Sequence, residues 1–125
     1  MEVDLQVVVL SGPGDVQRAV FGLSSALAAQ ASGVQTTVVF SMHGAHWASP
    51  TTGYEHAVPE FPPIAELLAN LQEVGGRIEG CSTCLENYCP SLVGEDGLKE
   101  LREGVVRVGL GLVAIRMASV RTIVT

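Results

Sequence analysis

Gly76-Arg77-Ile78-Glu79-Gly80-Cys81-Ser82-Thr83-Cys84-Leu85-Glu86-Asn87-Tyr88-Cys89-Pro90 is the stretch on which the reading of this chain turns. Arg77 to Gly80 predicts a short strand. The residues after it predict a loop opening into a short helix, and that loop holds all three cysteines of the protein. A thiol at such a junction meets the positive end of the helix, which favours the thiolate, the reactive form of sulfur. A strand that feeds a helix is one half of a β-α-β unit, so the flanking sequence should supply the rest.

Upstream it does. Val3 to Leu10 predicts a strand, and the continuous run Val7-Val8-Val9-Leu10 suits one buried on both faces. Ser11-Gly12-Pro13-Gly14-Asp15 is turn chemistry with Asp15 as N-cap. Val16, Ala19, Val20, Leu23 and Leu27 then recur at helical spacing, predicting a helix from Val16 to Ala31 that Gly33 ends. Val34 to Met42 predicts the second strand. His43 to Pro63 reads as a long polar-aromatic loop, the kind that carries function or moves. Ile64 to Val74 predicts a helix with Ile64, Leu67, Leu68 and Leu71 in one stripe, opened by Pro62-Pro63 and stopped by Gly75-Gly76.

Downstream, Gly97 to Glu103 predicts a short helix. Val105 to Val108 reads as a fourth strand rather than the start of one long helix to Met117, because Gly104 and Gly109 bracket it and glycine weakens a helix interior. Leu110 to Ala118 predicts a helix and Val120 to Val124 a last strand. This alternation predicts an α/β protein: a single domain over residues 1–125, three-layered α/β/α, with a mostly parallel five-stranded, Rossmann-like sheet. Right-handed crossovers place the C-terminal ends of its strands along one edge, where ligands bind in open α/β sheets. Ser11–Asp15, His43–Trp47 and Cys81–Cys89 should meet there.

Composition narrows the function. A formal net charge of −6 opposes binding to nucleic acid or to an anionic membrane surface. The most apolar run, Val105 to Met117, is interrupted by Arg107 and Arg116 and is too short to span a bilayer. Met1-Glu2-Val3-Asp4 lacks the basic start of a signal peptide, so the expected location is cytoplasmic. In a reducing compartment, clustered thiols point to redox, sulfur or metal chemistry. The mean hydropathy of +0.36 predicts either a sheet covered on both faces or apolar surface buried against another subunit.

Cys81 is the candidate nucleophile, expected to be accessible at the sheet edge. Cys84, one helical turn on, is placed to resolve a persulfide or sulfenate on Cys81 as a disulfide. Cys89 is a third ligand, a relay thiol or a packing residue. Glu79 and Glu86 would oppose a thiolate if they faced it. His43 and His46 form an H-x-x-H pair; with Cys81 and Cys84 they offer four ligands suited to zinc, and the same donors suit copper or haem iron. Without a metal, either histidine is a candidate proton donor or thiol activator. Trp47, Tyr54 and His56 either line a pocket nearby or anchor the loop by packing. Gly12-x-Gly14 lacks the remaining glycine of a dinucleotide fingerprint, since Gln17 stands there, and reads as a tight turn.

The chain resembles the DsrE/DsrF-like family of small sulfur-handling proteins, with the YchN-like fold, over nearly its whole length. The resemblance rests on the order of elements, on Gly33-Val34-Gln35-Thr36-Thr37-Val38-Val39-Phe40 leading into a glycine-containing loop, on the cysteines after the third strand, and on the closing Ala118-Ser119-Val120-Arg121-Thr122-Ile123-Val124. Cys81 occupies the family's cysteine position, and Cys84 matches the second cysteine of members with a C-x-x-C form. The resemblance implies a persulfide carrier, or a sulfurtransferase, that passes sulfur between donor and acceptor proteins and assembles as a homo-oligomer, commonly a trimer or hexamer. Two features depart from the family pattern. Tyr88-Cys89-Pro90 stands where an Arg-Gly pair often follows the cysteine helix, and the two-histidine loop is unusual.

Overall fold

The computed structural model describes residues 2–125. Five strands form one sheet: β1 (Leu5–Val9), β2 (Thr36–Phe40), β3 (Arg77–Cys81), β4 (Val106–Val108) and β5 (Arg121–Val124). Their spatial order is β4-β3-β2-β1-β5 and every pairing is parallel, in register Val7↔Val38, Val7↔Ile123, Val39↔Glu79 and Cys81↔Val108. The central strands are buried on both faces, as their unbroken apolar runs require: Gln6 to Val9 in β1 and all of β2 are sealed from solvent.

Crossover direction sorts the helices into layers. The steps β1→β2→β3→β4 all run one way along the sheet, so right-handed connections put α1 (Val16–Ala31) and α2 (Ile64–Glu73) on the same face. There they cover Val7, Val9, Val38 and Phe40 with Ala19, Val20, Leu23, Ala26, Leu67, Leu68 and Leu71. The return from β4 to β5 passes back across the sheet, which puts α4 (Leu110–Ser119) on the opposite face. Val113 of α4 packs there on Val8, Val39 and Val108. The predicted cap of α1 is present: Asp15 accepts from the Arg18 amide at 3.3 Å, and Gly33 ends the helix at φ +93°.

Four predicted segments differ. The second strand stops at Phe40, because Met42 turns the chain at φ +51°, a value a strand cannot hold. Beyond this turn the chain forms no open loop at first but a 3-10 segment, Met42–Ala48, whose Gly44, Ala45, Trp47 and Ala48 are buried. The helix predicted over Gly97 to Glu103 is absent. Asp96 Oδ1 accepts from the Leu98 amide at 2.9 Å, Gly97 lies at φ +80°, and Val93 bridges to Lys99 in antiparallel fashion. Asp-Gly turn chemistry therefore outweighs the few apolar residues there. Nor do the cysteines occupy a loop: Cys81 ends β3, and α3 (Ser82–Tyr88) starts at the next residue.

Candidate functional site

The expected convergence at the C-terminal edge of the sheet is real. After β1, the Ser11 carbonyl accepts from Trp47 Nε1 at 2.9 Å, and the Leu10 carbonyl accepts from the Gly44 amide at 3.1 Å. A Cβ at Gly44 would collide with the Val9 carbonyl, so only glycine lets the 3-10 segment lie this close to the end of β1. Trp47 is fully buried and is the anchor of the segment; Tyr54 is exposed. The 3-10 segment packs along α3, and the His43 and Tyr88 rings meet at 4.7 Å between centroids. Gly12 lies against His43, where the Gly-x-Gly stretch forms a tight turn running into Pro13–Asp15.

Beneath this cover stand the thiols. Cys81 caps α3, Cys84 lies in its first turn, and Cys89 follows its last residue. All three are free and buried; Cys81 keeps 4 % of its surface and Cys84 6 %. This corrects the expectation of an open thiol: the 3-10 segment and α3 close over the junction. Cys84 lies one helical turn beyond Cys81, and Cys81 and the Met42 backbone are the polar neighbours that act on its titration. Burial pushes the Cys84 thiol above its ordinary value; the Met42 amide opposes that rise, and the neighbouring Cys81 sulfur adds to it. Cys89 is bonded elsewhere, its sulfur to Ser91 Oγ at 3.5 Å and its carbonyl to Lys99 Nζ.

The carboxylates do not crowd the thiols. Glu79 is fully buried and held by Arg116 of α4, with Nη2 to Oε2 at 3.0 Å, and by Arg77 Nε at 2.8 Å. Glu86 is exposed.

The histidines part company. His43 goes to Tyr88, whereas His46 meets Trp47 edge-on at 4.9 Å and faces His56 at 6.3 Å. Burial lowers the His46 pKa, and the charge of His56 lowers it further. Among the described residues no three His, Cys, Asp or Glu side chains gather as metal ligands, so the set Cys81, Cys84, His43 and His46 does not assemble. The four donors therefore do not form a tetrahedral zinc site.

Sequence reasoning passed over Met42, Tyr88 and Arg102. Arg102 donates through Nε to the Trp47 carbonyl at 2.7 Å and through Nη2 to the Thr52 carbonyl, its backbone amide bonds Ala48 O at 2.8 Å, and its guanidinium lies 5.7 Å from the Tyr54 ring centre. No local pattern marks it, because its partners all lie in the distant 3-10 segment and the turn beyond.

The DsrE/DsrF-like family model matches residues 4–124. Among solved structures, the fold is similar to the YchN protein of E. coli, with TM-score 0.77 and 16% identity over 99% of this chain and 100% of that one. A conserved protein of unknown function from Bacteroides thetaiotaomicron is similar at TM-score 0.59 and 15% identity, covering 98% and 95%. No curated protein matches in sequence. No helix among the described residues is long and apolar enough to cross a membrane.

Proposed function

Because this chain belongs to the DsrE/DsrF-like family, we propose that it carries sulfane sulfur as a persulfide on Cys81 and hands it between donor and acceptor proteins. The observation that carries this reading is the pair of free, buried thiols one helical turn apart, Cys81 ending β3 and Cys84 in the first turn of α3. The Cys81 thiolate attacks the outer sulfur of a donor persulfide, forming Cys81–S–SH and releasing the donor thiolate. No external oxidant or reductant is needed, because the sulfane sulfur moves intact. An acceptor thiolate then attacks that same outer sulfur and restores Cys81.

Cys84 supplies a second exit. Its thiolate attacks the inner sulfur of the persulfide, forming the Cys81–Cys84 disulfide and expelling hydrosulfide, and an external thiol later reduces the disulfide. Burial of both sulfurs shields the persulfide from stray thiols, so delivery requires the cover to open at a partner's surface. The carrier works in the cytoplasm, where thiols stay reduced. It works as a homo-oligomer, a trimer or hexamer, in which the apolar outer face of α4 is covered.

Incubation with a sulfane-sulfur donor should raise the intact mass of the wild type by sulfur increments. Cys81→Ser should abolish the gain, and Cys84→Ser should keep the persulfide longer. An unchanged wild-type mass would overturn the proposal.

A further inference from the structure

Besides the buried Trp47, one half-buried side chain fastens the cover over the thiol pair from outside. Met42–Ala48 packs along α3, whose first turn holds Cys84, yet it joins the rest of the chain through a stretch without strand or α-helix up to α2. Arg102 bridges that stretch. Its guanidinium holds the Trp47 carbonyl at the end of the 3-10 segment and the Thr52 carbonyl in the turn beyond, and it lies over Tyr54. It forms no ion pair with a carboxylate among the described residues. A half-buried cation satisfied by main-chain carbonyls acts on the backbone path of those carbonyls, since there is no acidic partner for it to neutralise.

We propose that Arg102 is a positioning residue for the thiol pair: it ties the end of the 3-10 segment to the turn at Thr52, so holding the segment in place against α3, and thereby sets the exposure of Cys84. The inference rests on the proposed role of Cys81 and Cys84, but its test requires no sulfur donor. Failure of persulfide loading and failure of the latch are therefore separate results.

The measurement is site-resolved alkylation by iodoacetamide, read by peptide mass spectrometry across a pH series. In Arg102→Gln the two side-chain bonds are weakened or lost while the backbone bond to Ala48 survives. Loss of one or two charge-assisted bonds should speed Cys84 alkylation by about tenfold through local opening. The midpoint of its pH profile should move down, toward the ordinary thiol value, as burial is relieved. Cys89, held beside Ser91, serves as the internal reference and should keep its wild-type rate. Arg102→Lys, which retains a cation able to reach one carbonyl, should lie between the two.

Equal acceleration of Cys84 and Cys89 would mean that Arg102 supports global stability alone, and would overturn the proposal. So would an unchanged Cys84 rate in folded protein. If Arg102→Gln does not fold, the Arg102→Lys variant decides by the same ratio of Cys84 to Cys89.

Discussion

His46 shows how a single residue acquires meaning from neighbours that the sequence does not place beside it. Its ring stands against the fully buried Trp47 and opposite His56, and both burial and the charge of His56 lower its pKa from 6.5. The unfolded chain therefore binds the His46 proton more tightly than the folded one. The stability contributed by neutral His46 is present in full above pH 6.5 and is lost as pH falls from there through the lowered folded-state pKa. Thermal unfolding followed by the fluorescence of Trp47, the single tryptophan, should show a falling midpoint between about pH 7 and about pH 5. His46→Asn should flatten that fall; an equally steep fall in the variant would show that His46 is not its source. At this scale the position of Cys81 was legible, because the change from strand to helix at Gly80-Cys81-Ser82 is local. The depth of its sulfur was not, because the covering residues come from the 3-10 segment. Spacing alone also pairs His43 with His46, yet Tyr88 takes one ring and His56 faces the other.

At the scale of elements, α4 is fastened to the sheet in an unusual way. Its buried contact is Val113, and beside it Arg116 reaches inward with 14 % of its side chain exposed to meet the fully buried Glu79. Gln6 of β1 adds a bond from Nε2 to the Val113 carbonyl at 3.2 Å. Breaking a buried pair leaves a charge stranded, so Arg116→Met should cost about 3 kcal/mol in denaturant unfolding. The remaining partner, Arg77, is partly exposed and screens Glu79 less. Replacing both partners, Glu79→Met with Arg116→Met, should recover much of that loss. If the double variant is as unstable as the single one, the ion pair is not the source of the cost. The apolar stripes of α1 and α2 were readable at full length because a helical period repeats several times within each. The segment from Gly97 to Glu103 was misread for the opposite reason: it has two leucines, and the turn signal at Asp96-Gly97 lies just at its edge.

For the whole molecule, the outward face of α4 is the feature that asks for explanation. Leu110, Leu112, Ile115 and Met117 are 41–67 % exposed while the arginine of the same helix points in. A helix with its charge inside and its leucines outside is stable in water when another surface covers it. The proposed homo-oligomer does this, and Ile115→Glu should convert it to a smaller species in sedimentation velocity with the fold intact by circular dichroism. A wild type that already sediments as a monomer at high concentration would remove α4 as an interface. Taken alone, the sequence determined the class of fold, the order of elements and the place of Cys81 on a strand end, since periodicity, turn residues and glycine stops act over a few neighbours. Tertiary structure alone decided that the thiols are covered, that the histidines separate and that Arg102 reaches the main chain of the 3-10 segment. Those outcomes depend on contacts between residues far apart in the chain, where packing and hydrogen-bond satisfaction choose the partner and local preference has no say.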